Sequence, residues 1–270
     1  MIQAEDIREL KLSDESQAEL QALMKAGVHI GHVKSKTHPA MRTLIFTTRN
    51  NIEIIDVVKT SEYLAKAEAF LRGVAARGGL VLWVGTKPSA RKAVEASAAA
   101  TGMPFVTARW IGGLLTNFKV ISRRVAEMED IERRKANGDL EKYTKQERAR
   151  IDILHQSLAK VYDGLRLLKR LPDAMVVIDA VHDHSAVAEA KRTKIPIIAL
   201  ADTNTDPRLI QYPIPSNDDA RLAVEYMTGR MAAALDAGKL EAERTALLAK
   251  AEKEKQDKES QEKEAKEEAV

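Results

Sequence analysis

The amino-acid sequence predicts an α/β fold, a doubly wound and mainly parallel sheet that carries an inserted antiparallel coiled-coil helical hairpin. Three observations support this. Short apolar runs, "LVLWVG", "DAMVVID" and "IPIIALAD", alternate with segments whose apolar residues recur at helical spacing. Strands that are apolar at every position belong in a sheet covered on both faces. Between "PFVTA" and "DAMVVID" lies one long charged stretch, Lys119 to Arg170, holding two separate apolar stripes.

Residues 1–20 read as a loosely held amphipathic lead-in, and residues 21–110 with 171–236 as a discontinuous α/β body. "LIF-TTRNN-IEIIDV" gives two short strands about a turn-forming Arg-Asn-Asn. Thr60 or Ser61 is placed to cap a helix whose Leu64, Ala67, Phe70, Leu71 and Val74 recur on one face before Gly78-Gly79 stops it. "LVLWVG" is the next strand, "TKPSARKAVEASAAATG" a loop and a helix ending at Gly102, and "PFVTA" a strand. After the charged stretch come strand "DAMVVID", helix "HSAVAEAKRT", strand "IPIIALAD" and a helix from Asn217 to Leu235. Residues 237–270 lose the apolar pattern and read as a charged, disordered tail.

The hairpin is assigned to residues 111–170. Phe118, Ile121, Val125, Met128 and Ile131 form its first stripe. Ile151, Leu154, Leu158, Val161, Leu165 and Leu168 form the second, spaced three and four alternately as in a heptad seam. Asn137-Gly138 breaks the first helix, and Thr144 with Glu147 has capping-box spacing to start the second. Two helices of roughly 25 residues reach roughly 37 Å. At the root, Gly112-Gly113 allows a tight turn, Trp110 offers a ring to anchor on the body, and Thr116-Asn117 precedes the first helix.

Composition narrows the class. The chain of 270 residues is 44% hydrophobic, enough for one substantial core. No apolar run reaches the roughly 18 residues of a membrane span, and the acidic start "MIQAEDIRELKLSDES" lacks a signal pattern. The absence of Cys fits a reducing cytoplasm. Net charge is +3, yet the last twenty residues hold five Lys against eight Asp/Glu. Lys119 to Arg170 holds fourteen Lys/Arg against nine Asp/Glu, so the positive excess gathers on the hairpin. This suggests a polyanion-facing surface, the alternative being a well-solvated helix face.

Enzyme chemistry finds little support. "VLWVGTKPSARKAV" has the strand–loop–helix outline of a phosphate site but no G-x-G-x-x-G or G-x-x-x-x-G-K-[ST], and Pro88 removes an amide from the first turn. No cofactor is expected. Asp56, Asp179, Asp202 and Asp206 follow strands, where such sheets place sites. With His182 and His184 they define the alternative, a metal-dependent enzyme acting on a phosphorylated substrate. Asp also caps helices and closes turns, so the expectation is no enzyme and no metal site. "KAGVHIGHVKSKTHP" sets His29, His32 and His38 beside Lys34 and Lys36 on a Gly-permitted loop, where phosphate contacts suit them at least as well as a metal.

"LMKAGVHIGHVKSKTHPAM", "IFTTRNNIEIIDVVKT", "VLWVGTKPSARKAV", "RWIGGLLTNFKVI", "LPDAMVVIDAVHDHSAVAEAKRTKIPIIALADTNTDP" and "YPIPSNDDA" follow one another in this order. Together they closely resemble the second-protein family of the bacterial small ribosomal subunit, over roughly residues 20 to 236. The resemblance implies a Rossmann-like body with a protruding coiled-coil hairpin and a noncatalytic, ribosome-bound role in translation. Its implied partners are small-subunit ribosomal RNA and neighbouring ribosomal proteins at the head–body junction, among them the large, flexible messenger-RNA-binding protein one, and no membrane. The matching positions are His29, Gly31, His32, Pro39, Met41, Arg49, Asn50, Arg109, Trp110, Gly112, Gly113, Thr116 and Asn117. The chain departs from the family pattern at Ser35, Thr37, His38 and Ala40, where longer basic or aromatic side chains are usual.

With aromatics at only 4%, recognition is expected to rest on phosphate contacts and RNA shape rather than on a stacking platform. The candidate RNA-binding residues are His29, His32, Lys34, Lys36, Arg42, Arg49, Arg109, Arg123 and Arg124. Trp110, Gly112, Gly113, Thr116 and Asn117 are the candidate root.

Overall fold

A computed structural model describes residues 14–267. In chain order the helices are α1 (Asp14–Ala26), α2 (Val57–Ala76), α3 (Pro88–Thr101), α4 (Phe118–Ala136), α5 (Lys145–Tyr162), α6 (His184–Arg192) and α7 (Arg221–Glu267). The strands are β1 (Ile30–Val33), β2 (Ile45–Arg49), β3 (Ile52–Ile55), β4 (Val81–Val84), β5 (Phe105–Val106), β6 (Ala174–Val177), β7 (Ile197–Ala201) and β8 (Tyr212–Pro215).

Five strands form a wholly parallel sheet in the order β5-β4-β6-β7-β8. Its side chains alternate between two cores. Val81 and Trp83 of β4, Val176 of β6 and Ile198 and Leu200 of β7 face α1, α2, α3 and α7. Leu82 and Val84, Met175 and Val177, and Ile197 and Ala199 face the root loop, α6 and the first half of α4. The all-apolar strand runs follow from that two-sided covering. β8 was not foreseen as a strand. Pro213 and Pro215 cannot donate to a ladder, and β8 is an edge, where that defect is tolerated.

A second sheet departs from the expectation of a single one. β1, β3 and β2 pair antiparallel in that order, with Asn50 (φ 48°) and Asn51 (φ 63°) making the two-residue hairpin turn. The helix after it starts at Val57 rather than at Thr60 or Ser61. Asp56 caps it, accepting from Val58 N at 3.1 Å, while buried Thr60 donates to the Pro215 carbonyl at 2.7 Å.

Both chain ends of the body differ from the sequence reading. Helix α1 runs across residue 20, with Leu20 and Leu23 buried, and Glu19 receives Arg230 of α7 at 2.6 Å while Glu68 of α2 receives it at 2.8 Å. Residues 1–13 of the lead-in lie outside the described residues. The expected disordered tail begins instead as an unbroken continuation of α7 to Glu267. Ala, Glu and Lys are strong helix formers, so a weak apolar pattern does not by itself end a helix. Residues 268–270 lie outside the described residues.

α4 and α5 span 19 and 18 residues, shorter than the expected 25. They pack antiparallel, since Glu132 meets His155 and Lys135 meets Asp152. The first stripe is buried as expected at Ile121, Val125, Met128 and Ile131. The heptad seam is not realised. Met128, Ile131 and Leu158 form a small cluster between the helices, but Leu154 is 41% exposed. Leu165 and Leu168 lie beyond α5 and join the core beneath the sheet. A 3-10 turn at Asp163–Leu165 ends the helix and redirects the chain before the repeat is complete.

Candidate nucleic-acid interface

The loop from Arg109 to Asn117 leaves the edge strand β5 and turns through Gly113, whose φ of +88° lies in the region glycine favours. One carboxylate organises it. Glu189 of α6 accepts from Trp110 Nε1 (3.0 Å), Gly113 N (2.7 Å), Leu115 N (3.0 Å), Thr116 N (3.1 Å) and Thr116 Oγ1 (3.1 Å). Burial opposes its charge, but these donors outweigh burial and hold the Glu189 carboxyl below the usual range. Trp110 packs half-buried on the core, so the anchor is ring and carboxylate together. Nothing in the spacing of Glu189 marks this role. Asn117 precedes α4 without bonding its free amides through its side chain. Gly112 is exposed and needs no left-handed backbone.

Cations along the helix pair divide into two sets. Arg124 lies 2.7 Å from Glu127, Lys135 2.9 Å from Asp152 and Lys169 3.3 Å from Glu129. Arg166 grips Glu132 with two nitrogens at 2.6 Å, and His155 reaches the same carboxylate at 2.9 Å. The Arg166 and His155 hydrogen bonds hold the Glu132 carboxyl at about 2. Lys119 and Arg123 of α4 and Arg109 of the root loop are different. All three are exposed, and none has a partner among the described residues. Of the sequence candidates here, Arg109 and Arg123 keep unpaired charge, whereas Arg124 is paired with Glu127.

The candidates near β1 separate in the same way. The segment foreseen as a loop is a strand followed by a 3-10 turn. Gly31 is needed because a Cβ there would meet Thr203 Cγ2 at 2.5 Å and the Glu53 carbonyl at 3.1 Å. His32 Nδ1 sits 3.0 Å from Asp202 Oδ2 and Nε2 3.4 Å from Asp219 Oδ2. Its hydrogen bond to Asp202 raises its pKa against the effect of burial, and the contact ties the small sheet to the parallel one. Burial lowers the pKa of His29 and favours its neutral form. Lys34, Lys36 and Arg42 are exposed with no partner among the described residues, and Arg49 is exposed at the end of β2.

Strand order reverses between β4 and β6, and the crevice at their carboxyl ends is where such folds bind ligands. Here it is occupied by the chain itself. Lys87 Nζ lies 3.0 Å from Asp179 and 3.2 Å from Asp218, and closes on Asp219. Thr86 Oγ1 donates to Asp183 at 2.7 Å. Burial disfavours the Lys87 charge, but the three carboxylates prevail and its pKa is raised. Asp218 is fully buried, and burial pushes its carboxyl up to about 7. His182 and His184 are exposed, and Asp206 pairs with Arg208 at 2.9 Å. Among the described residues no three His, Asp or Glu side chains converge as metal ligands. Asp218 and Asp219 stand in the quoted "PSNDDA", the one sequence signal that pointed to them.

A further surface was not foreseen. Ile30, Val33, Phe46 and Ile52 of the three-stranded sheet are exposed, Phe46 to 61%. Register places Val33 opposite Ile52, and Ile30 opposite Ile54. Among the described residues no helix is long and apolar enough to cross a membrane.

Comparison with known proteins gives one consistent result. The family model described as Ribosomal protein S2 matches residues 23–238. The small ribosomal subunit protein uS2 of Thermus thermophilus is 45% identical over 208 residues, 77% of this chain and 81% of its own length. Those of Corynebacterium urealyticum (41% over 233 residues, 86% and 87%) and Porphyromonas gingivalis (42% over 219 residues, 81% and 78%) are similar to the same extent.

Proposed function

The chain belongs to the ribosomal protein S2 family, and from that premise we propose that it binds small-subunit ribosomal RNA through cations its own fold leaves unneutralised. It is a structural protein of the small ribosomal subunit and not an enzyme. One observation carries the RNA reading. Lys34, Lys36, Arg42, Arg109, Lys119 and Arg123 are exposed without a carboxylate partner among the described residues, on the segment after β1 and at the root of the helix pair. Phosphate contacts of this kind position a protein on folded RNA without reading its sequence.

In this reading residues 111–170 form an arm rooted on the α/β body, roughly 28 Å along α4 at 1.5 Å per residue. It lies at the head–body junction of the subunit, bound to the ribosome in the cytoplasm. The apolar face of Ile30, Val33, Phe46 and Ile52 supports a protein contact, and the large messenger-RNA-binding protein one is the neighbour assigned to it.

The test is sedimentation of the tagged full chain through a sucrose gradient. It should travel with the small subunit and return to the top of the gradient after ribonuclease treatment. A position unaffected by ribonuclease would leave a purely protein-bound role.

A further inference from the structure

The connector end of the helix pair carries a group of charges that the fold does not account for. Residues 134–150 hold six Lys/Arg against three Asp/Glu. Glu147, the acid nearest in sequence, is taken up at the backbone. Its carboxylate accepts from Thr144 N and Thr144 Oγ1, both at 2.9 Å, and completes the capping box of α5. Lys145 and Arg148 are thereby left exposed and without a side-chain partner among the described residues. Both stand in the first turns of α5, at the positive pole of the helix, where a cation is disfavoured. Helix stability gives no reason for their placement.

Tyr143 sits among them. Arg134 Nη2 donates to its hydroxyl at 2.9 Å, with the guanidinium 5.6 Å from the ring centre, and the Lys142 ammonium lies 5.8 Å from that centre. The ring is half-exposed and belongs to none of the core clusters, so packing does not explain it either. Leu140 is buried, which fixes the connector to the ends of the two helices. The result is a held aromatic ring with the Arg134 and Lys142 cations over it and Lys145 and Arg148 close by in sequence.

We propose that this end, Arg134 with Lys142, Tyr143, Lys145 and Arg148, is a second RNA site distinct from the root, and that it takes an unpaired nucleotide. The base stacks on Tyr143, and the flanking phosphates meet Lys145 and Arg148. An unpaired nucleotide in a loop or bulge exposes a base face and adjoining phosphates together, which matches an aromatic ring and cations gathered at one place. The base takes the ring face from Arg134 or Lys142 and leaves that cation to a phosphate. An acidic protein surface would satisfy the cations and leave the ring without a role. The proposal rests on the reading that ribosomal RNA is the partner, and its test separates the two.

Binding of the full chain to small-subunit ribosomal RNA is measured across a salt series for four variants, with helix content followed by circular dichroism. Lys145→Gln/Arg148→Gln should lower the salt slope by about two, one per lost phosphate contact. Tyr143→Leu should weaken binding roughly tenfold and leave the slope unchanged, whereas Tyr143→Phe should keep most of the affinity. Lys119→Gln/Arg123→Gln reports on the root alone. If the root pair lowers the slope and the connector variants do nothing, the second site is overturned and the RNA reading stands. If no variant moves the slope, both fall. If the Lys145/Arg148 pair acts but Tyr143→Leu is silent, the end is a plain charged surface and the nucleotide site is wrong.

Discussion

The carboxyl edge of the parallel sheet and the root of the helix pair are both rich in charge, but they treat it oppositely. At the sheet edge, Lys87 gathers Asp179, Asp218 and Asp219, and His32 closes on Asp202. At the root, Arg109, Lys119 and Arg123 stand exposed with nothing opposite them among the described residues. A fold that commonly binds ligands at its strand ends has here filled that crevice with its own ion pairs, and its free charge sits on helical and loop surfaces instead. Self-neutralised charge serves the fold, and unneutralised charge is available to a partner.

The comparison breaks most sharply at Lys87. Lys87→Met strands Asp179, Asp218 and Asp219 around a mostly buried site, and removing one partner of a buried pair costs up to about 5 kcal/mol. Urea denaturation should show that loss. An unchanged midpoint would mean that the cluster contributes nothing to the fold and that the crevice is open to other roles.

Asp218 extends the same test to pH. Burial holds its proton up to about 7, above the ordinary 3.8. The folded state therefore binds that proton more tightly than the unfolded state. Its contribution to stability is complete below about pH 4 and is lost as pH rises toward about 7, in total roughly 4 kcal/mol. Asp218→Asn should flatten that decline relative to wild type. Parallel stability profiles would show that Asp218 does not hold the proton.

At the root, the expected loss is smaller and local. Glu189→Ala removes the acceptor of five hydrogen bonds and should cost about 3 kcal/mol. Exchange of the Gly113, Leu115 and Thr116 amides should accelerate well before that of the central strands. If those amides remain as protected as in wild type, the loop is held by packing alone.

What the sequence revealed follows the range of each interaction. Strands β4, β6 and β7 were legible because burial on both faces makes every position apolar, and α4 because one stripe is buried along its length. The capping box at Thr144 and Glu147 was legible because both partners lie within one turn. Glu189 was not, since its partners are more than seventy residues away and only the folded chain brings them together. The second stripe misled for a related reason. Its spacing continues through Leu165 and Leu168, but the chain leaves the helix at Asp163, and those two residues pack under the sheet. The pairing of His32 was hidden in the same way as that of Glu189, because its carboxylate partners, Asp202 and Asp219, lie even farther away in sequence.

The finest version of the comparison lies within two adjacent residues. Arg123 and Arg124 are indistinguishable in sequence and both exposed, yet Arg124 lies 2.7 Å from Glu127 and Arg123 has no partner among the described residues. An exposed ion pair within one helix is worth only a few tenths of a kcal/mol, so neither change should disturb the fold. Toward RNA they should differ. Arg123→Gln should lower the salt slope of binding by about one, the signature of one lost phosphate contact, and Arg124→Gln by clearly less, because Glu127 already screens that charge. Equal effects would show that the pair with Glu127 opens on binding, so that cations paired in the free chain also count toward its RNA surface. A larger effect at Arg124 would reverse the assignment and move the contact around the helix toward Glu127.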